Sequence, residues 1–277
     1  MHATAATTRR VAVSTARPAP PVIGAVRDTL AIAGRNLISI RRTPQLLVFS
    51  SIQPVIFVLL FRYVFGGAIK APGGSYVDYL MPGIFTQTVV FGAAITAIGL
   101  ATDVQSGLLE RFRSLPMSRS AVLAGRTVAD LARNIFVIIL MAAVGFAVGF
   151  HFHKDWLHLI AGLGLVLGFS YSLSWIFATV GLMLGNPESA QAATFPVMAP
   201  LVFASSAFVP VSSMPGWLQT FALHQPVSVT ASAVRYLFGV DAGVAGASSD
   251  VWQSVAWIIG ILVVCAPIAV WRYRQAV

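Results

Sequence analysis

Long apolar runs dominate the chain, and a clear amphipathic alternation precedes them. Between about Val22 and Arg42, Ile23, Val26, Leu30, Ala33, Leu37 and Ile40 recur at steps of three and four, while Arg27, Arg35, Arg41 and Arg42 lie off that stripe. This pattern predicts a helix lying in a membrane interface, where one face meets acyl chains and the other meets phosphates. Six apolar segments follow, at about Leu46 to Phe65, Tyr79 to Leu100, Val128 to Phe150, Leu157 to Leu184, Ala192 to Val209 and Trp252 to Trp271. Each is near the roughly 20 residues a helix needs to cross a bilayer. Arg62 and Arg133 stand close enough to segment ends to snorkel, and Trp252, Trp257, Trp271 and Tyr273 frame the last segment as interfacial aromatics do. The expected organisation is a disordered tail over 1–21, an interfacial helix over 22–43 and a six-span all-α domain over 44–277.

Composition supports a membrane protein. The chain of 277 residues is 57% hydrophobic and 10% charged, too little charge to cover a soluble surface, which needs about 25%. The net charge of +9 is dispersed between apolar segments, which suits anionic lipid headgroups and no nucleic-acid partner. Arginine placement orients the spans. Fourteen Lys and Arg lie in the tail, the interfacial helix, the connection after the second span and the C-terminus. Only Arg62, Lys70, Lys154 and Arg235 lie on the other side. The positive-inside rule therefore places both termini in the cytoplasm. The first twenty residues lack the apolar core of a signal peptide.

Few positions invite chemistry. Cys265 stands alone in the last apolar run, so no intrachain disulfide is expected. His151, His153 and His158 cluster with only Asp155 as carboxylate, which argues against a metal site. Asp103, Asp130 and Glu188 fall at span ends, and Asp130 has Arg126 and Arg133 a turn away on either side, so an interfacial ion pair is expected. Polar residues inside the spans serve chiefly helix packing; Gln53, Gln87 and Ser170 are selected as candidates to line a substrate path. The stretch from Pro210 to Tyr236 is too apolar for an aqueous loop, and Pro210, Pro215 and Pro226 divide it. Short helices dipping back into the outer leaflet explain it, if protein shelters their backbone ends.

The connection between spans two and three reads LLERFRSLPMSRSAVLAGR, Leu108 to Arg126. Leu108, Leu109, Phe112 and Leu115 share a helical face, Glu110, Arg111 and Arg113 lie on others, and Pro116 ends the helix. Such a helix, held between two spans at the cytoplasmic surface, is a lever; an ordinary solvated basic loop that obeys the charge rule fits the same residues equally well.

This stretch resembles the daunorubicin-resistance-type permeases of the ABC-2 superfamily of ABC transporters, in which a segment close to ERFRSLPMSR joins the second and third spans. The resemblance extends to YLMPGIFTQ (Tyr79 to Gln87), SSAFVPVSSMPGWLQ (Ser205 to Gln219) and QPVSVTASAVR (Gln225 to Arg235). One departure is His224, where asparagine is frequent. The resemblance implies the six-span type V exporter fold. Leu108 to Met117 would be a coupling helix docking on a nucleotide-binding subunit, with Glu110, Arg111 and Arg113 in polar contact and Phe112 and Leu115 filling hollows. Pro210, Pro215, Trp217, Phe221, Pro226 and Arg235 would belong to re-entrant helices closing an outer gate.

The implied function is the permease subunit of an exporter for a lipophilic or amphipathic drug, antibiotic or lipid in a bacterial plasma membrane. The implied partners are two copies of an ATPase subunit, a second or sister permease, and membrane lipids. The only lysines, Lys70 and Lys154, stand in no phosphate-cradling motif; ATP and Mg are expected on the partner, with no cofactor or metal on this chain and no enzymatic site of its own. Export of lipid-linked polysaccharide or teichoic acid is the nearest alternative. An ion-gradient transporter would need midplane ionisable groups and repeated halves, and a membrane enzyme a convergent nucleophile and base; neither pattern is evident.

Overall fold

Apolar runs whose backbone groups cannot bond to lipid must satisfy them internally, and here they do so as helices. The computed structural model describes residues 29, 34, 44–69, 71, 75–108, 119–240 and 247–275. The described elements, in chain order, are α1 (Pro44–Leu60), which runs into a π-helical turn (Phe61–Phe65), α2 (Tyr76–Gln105), α3 (Arg119–Ala147), α4 (Trp156–Leu184) and α5 (Pro187–Phe203). After a short 3-10 turn (Val211–Ser213) come α6 (Gly216–His224), α7 (Pro226–Phe238) and α8 (Ala247–Gln275). No strand occurs among the described residues. The expected interfacial helix over 22–43 lies outside them, apart from Thr29 and Gly34.

Among the described residues four helices, α2, α3, α4 and α8, are long and apolar enough to cross a membrane; the apolar part of α1 with its π turn is shorter, and α5 has 17 residues. The core is built around α2. Its 30 residues reach about 45 Å at 1.5 Å per residue, and it packs against α1, α3, α4, α5 and α7. The most apolar stretch of α2 is 72% buried, against 11% for α8, so α2 is the axis of the bundle and α8 a peripheral helix facing outward.

Two helix boundaries depart from the hydropathy reading for local reasons. The third apolar helix starts at Arg119 rather than near Val128, which puts Arg126, Asp130 and Arg133 inside a regular helix. The fifth spans Pro187–Phe203 rather than Ala192 to Val209. Asn186 caps it by accepting from the Glu188 and Ser189 N–H groups, with Pro187 at its first turn. The apolar run continues past Phe203, but the chain leaves the helix. Ser205 Oγ accepts the Ala207 N–H at 3.1 Å, so residues 204–209 form a buried turn.

That turn lies directly on α2. A Cβ at Gly83 would fall 1.8 Å from the Ala207 carbonyl oxygen, and one at Gly181, where α4 crosses α2, 2.4 Å from that of Ala97. Neither obstacle is a flexible side chain. Gly83→Ala is therefore expected to destabilise the folded protein by about 2–3 kcal/mol through forced backbone displacement, read as a lowered unfolding midpoint in detergent. An unchanged midpoint would contradict the close approach.

Candidate transport site

Polar side chains from four helices converge on one cavity of about 260 Å³ between α1, α2, α3 and α5. Gln53 and Pro54 come from α1, Gln87, Thr88, Phe91 and Ile95 from α2, Arg133 and Asn134 from α3, and Gln191, Thr194, Phe195 and Met198 from α5. The mouth is open at Gln53, Ile95, Gln191 and Phe195, all exposed, whereas Gln87, Arg133, Asn134 and Thr194 at the inner end are buried. Gln87 is 1% exposed, and neither its amide nitrogen nor its oxygen has a hydrogen-bond partner among the described residues. A buried amide left unpaired costs about 1–3 kcal/mol per group; lining a cavity gives it access to water or to a polar ligand.

Of the three expected path residues, Gln53 and Gln87 meet in this cavity. Ser170 does not line it, but its Oγ accepts the Asn134 side-chain N–H at 2.6 Å and so positions a residue that does. The sequence reading passed over Asn134, which stands in a polar patch at the start of an apolar run.

Behind the cavity runs a ladder of charges. Arg126 Nη1 meets Asp103 Oδ2 at 2.5 Å and Arg126 Nε meets Asp130 Oδ2 at 3.9 Å, while Arg133 Nη2 lies 4.0 Å from Asp130 Oδ1. Thr96 donates its hydroxyl to Asp130 at 2.7 Å, and Arg133 donates to the Gly92 carbonyl of α2 at 2.8 Å. The expected pairing of Asp130 with both arginines is present, and it is buried in the packing of α3 on α2. Asp130 is 5% and Arg133 7% exposed, and Asp130 contacts Thr96, about 14 Å along α2 from its end at Gln105. Packing α3 against α2 carries the pair inward, where each charge needs its partner. Glu188, by contrast, is exposed in the first turn of α5.

The residues expected at an outer gate separate into two environments. Trp217 and Phe221 are exposed on α6, at 78% and 47%, and Pro215 beside them is exposed. Pro210 is buried, and Pro226 is partly covered at the first turn of α7. Arg235, counted from the sequence as an outer charge, is fully buried. Its Nε donates to the Tyr79 carbonyl at 2.9 Å, Nη1 to Ser206 Oγ at 3.2 Å, and Nη2 to the carbonyls of Ser206 at 2.6 Å and Ala207 at 3.3 Å. The guanidinium sits 3.8 Å from the Tyr79 ring centroid. The five N–H donors of a guanidinium, set in a planar fork, suit this task, satisfying carbonyls that a turn has freed from helix bonding. Tyr79 and Tyr76 donate to the Ser206 and Phe208 carbonyls at 3.2 and 3.0 Å, and Gln225 donates to that of Ala204 at 2.8 Å. Together these bonds tie α2, the 204–209 turn and α7 into one unit.

A further junction joins α2 to the loop before α4. Asp78, 5% exposed, accepts the His151 backbone N–H at 2.7 Å and lies 3.4 Å from His153 Nε2. Lys154 donates to the Tyr236 carbonyl at 2.8 Å and lies 3.9 Å from that ring's centroid. Asp78 is thus a second carboxylate beside the histidines, brought there from 73 positions away. No group of three or more metal-ligating side chains occurs among the described residues. Of the expected coupling residues, Leu108 is partly exposed after the end of α2, while Leu109, Glu110, Arg111, Phe112, Arg113, Leu115 and Pro116 lie outside the described residues.

Residues 27–238 match the model of the ABC-2 type transporter family. The chain is 32% identical to the daunorubicin resistance ABC transporter permease protein DrrB1 of Streptomyces coeruleorubidus, over 91% of this chain and 87% of that protein. It is 28% identical to the probable doxorubicin resistance ABC transporter permease protein DrrC of Mycobacterium tuberculosis, over 91% and 90%. To the putative transport permease ycf38 of Cyanophora paradoxa it is 23% identical over 77% and 74%. A helical membrane bundle with a polar-ended internal cavity, matched over most of its length by these permeases, belongs to the ABC-2 type transporter family.

Proposed function

We propose that this chain is the transmembrane half of an ATP-driven exporter that moves an amphipathic drug, antibiotic or lipid out of the cytoplasm or the inner leaflet of a bacterial plasma membrane. The observation that carries this reading is the cavity backed by the Asp103–Arg126–Asp130–Arg133 ladder. The ladder begins on α2 and α3 beside the ends that flank residues 106–118 and finishes at the cavity wall. A force applied to that connection is transmitted along paired charges and rigid helices to the place where cargo would sit. The resistance permeases named above support an exporter of this kind.

In this arrangement α1 and α5 cross the membrane as its two shorter helices, giving six crossings with both termini in the cytoplasm. The helices α6 and α7 re-enter from the outer side and close the gate. Two ATPase subunits bind ATP and Mg and grip Leu108 to Met117, and a second permease copy or a sister permease completes the path. An ion gradient is a poorer fit as the driving force. Asp130, buried between α2 and α3, is already engaged by two arginines and by the Thr96 hydroxyl.

The test is export by the permease reconstituted in vesicles with its ABC ATPase subunit. Arg113→Glu with Phe112→Ala is expected to abolish ATP-driven export while insertion and assembly of the permease persist. Export should survive collapse of the proton gradient. Unchanged export in the double variant would sink the coupling assignment, and export without ATP would sink the exporter itself.

A further inference from the structure

We propose that the inner end of the cavity binds the anionic oxygen group, a carboxylate or a phosphate, of an amphipathic molecule whose apolar body leaves through the mouth at Ile95 and Phe195. This rests on reading the cavity as the transport site, and it narrows the substrate class.

Charge makes the case. Among the described lining residues Arg133 is the single charged one. The amides of Gln53, Gln87 and Gln191 can turn either a donor or an acceptor toward a ligand, so they do not select a sign. Arg133 does. Its counter-charge Asp130 does not line the cavity, lies 4.0 Å away and also faces Arg126 at 3.9 Å. That is the loosest contact of the ladder, whose tightest pair is Arg126 with Asp103 at 2.5 Å.

The described bonds of Arg133 engage only Nη2, to Gly92 at 2.8 Å and to Asn134 Oδ1 at 3.4 Å. Its Nε and Nη1 remain to meet an oxyanion in the forked geometry that guanidinium favours. Gln87, buried and with both amide atoms unpartnered, adds a donor from the neighbouring wall. A cationic amine at the same place would meet the guanidinium, with the balancing carboxylate behind it. Phe91, Ile95, Ile98 and Phe195 wall the more exposed part of the cavity, which suits hydrocarbon or a ring system.

The experiment uses the full chain in nanodiscs of zwitterionic phosphatidylcholine, without ATP or ATPase. A dansyl-labelled C11 carboxylate is titrated against its methyl ester and against the same chain ending in a primary amine. The carboxylate should bind about tenfold or more tighter than either, the scale of one hydrogen bond to a charged group. The charge-balanced variant Asp130→Asn with Arg133→Gln should bring the three probes to within about twofold of one another, roughly 0.4 kcal/mol.

Displacement of the carboxylate by phosphatidic acid doped into the discs would identify a lipid headgroup as the source. Its persistence would identify a membrane-soluble acid as the cargo; both outcomes uphold an oxyanion site. Equal binding of carboxylate, ester and amine by the unmodified protein overturns the proposal, as does a folded double variant that keeps the preference. The probe comparison on the unmodified protein decides even if the variant does not fold. Equal probe binding by the unmodified protein with its ATP-driven export intact refutes this inference alone, whereas selective binding without export refutes only the exporter.

Discussion

Arg235→Met is expected to cost about 3–5 kcal/mol of stability and to leave little folded protein in the membrane, the magnitude seen when one member of a buried polar network is removed. The guanidinium donates to three backbone carbonyls, on Tyr79, Ser206 and Ala207, and to the Ser206 hydroxyl, while its face covers the Tyr79 ring. Methionine fills similar volume but donates nothing. The Tyr79 hydroxyl would still serve the Ser206 carbonyl, so the loss falls mainly on Ala207 and on the tie between α7 and α2.

Arg235→Lys keeps the charge on a single ammonium that cannot span acceptors held by a planar fork, and should recover only part of the loss. Folded yield and the SDS-unfolding midpoint in mixed micelles measure both. A methionine variant as stable as Arg235→Lys would show that the fork, not the charge, sets the interaction, and one as stable as the unmodified protein would refute the latch.

Arg235 also shows where sequence reading stops. Its position after an apolar outer stretch made it a plausible exterior charge, and no local pattern signals a partner 156 residues away on α2. Asp78 is alike, since its bond to His151 links positions 73 apart. Helix formation was legible because backbone satisfaction in lipid depends on local composition alone. The apolar runs therefore appear as helices, with boundaries shifted where caps and turns act: Asn186 and Pro187 start α5 early, and Ser205 helps end it.

Gln53 and Gln87 could be picked out because an amide in an apolar run is conspicuous. Arg133 and Asn134 could not be placed, because depth in the bundle depends on how far α3 extends beyond its apolar stretch. The coupling segment from Leu109 to Pro116 rests on its residue pattern and the family resemblance.

The charge ladder yields the second large effect. Asp130→Asn should cost about 3–5 kcal/mol, because it strips a 7% exposed Arg133 of its carboxylate and leaves a buried charge uncompensated. Asp103→Asn should cost about 1 kcal/mol or less, since Arg126 and Asp103 each keep 21% of their side-chain surface in solvent, which screens the pair despite its shorter distance. Combining Asp130→Asn with Arg133→Gln removes both charges and should recover most of the loss, giving a coupling energy of about 2 kcal/mol or more in a double-mutant cycle. Unfolding midpoints in one detergent supply all four corners.

The ranking is the decisive part, because it follows burial and runs against distance. Asp103→Asn proving the more harmful would mean that the 2.5 Å contact, not the buried one, holds α2 to α3. With the expected ranking, export assays on the stable double variant divide the ladder's two roles. Stability regained while ATP-driven export stays lost assigns the paired charges to transport, through the cargo contact at Arg133 or through transmission from the 106–118 connection; stability and export regained together leave them as structural ties between two helices.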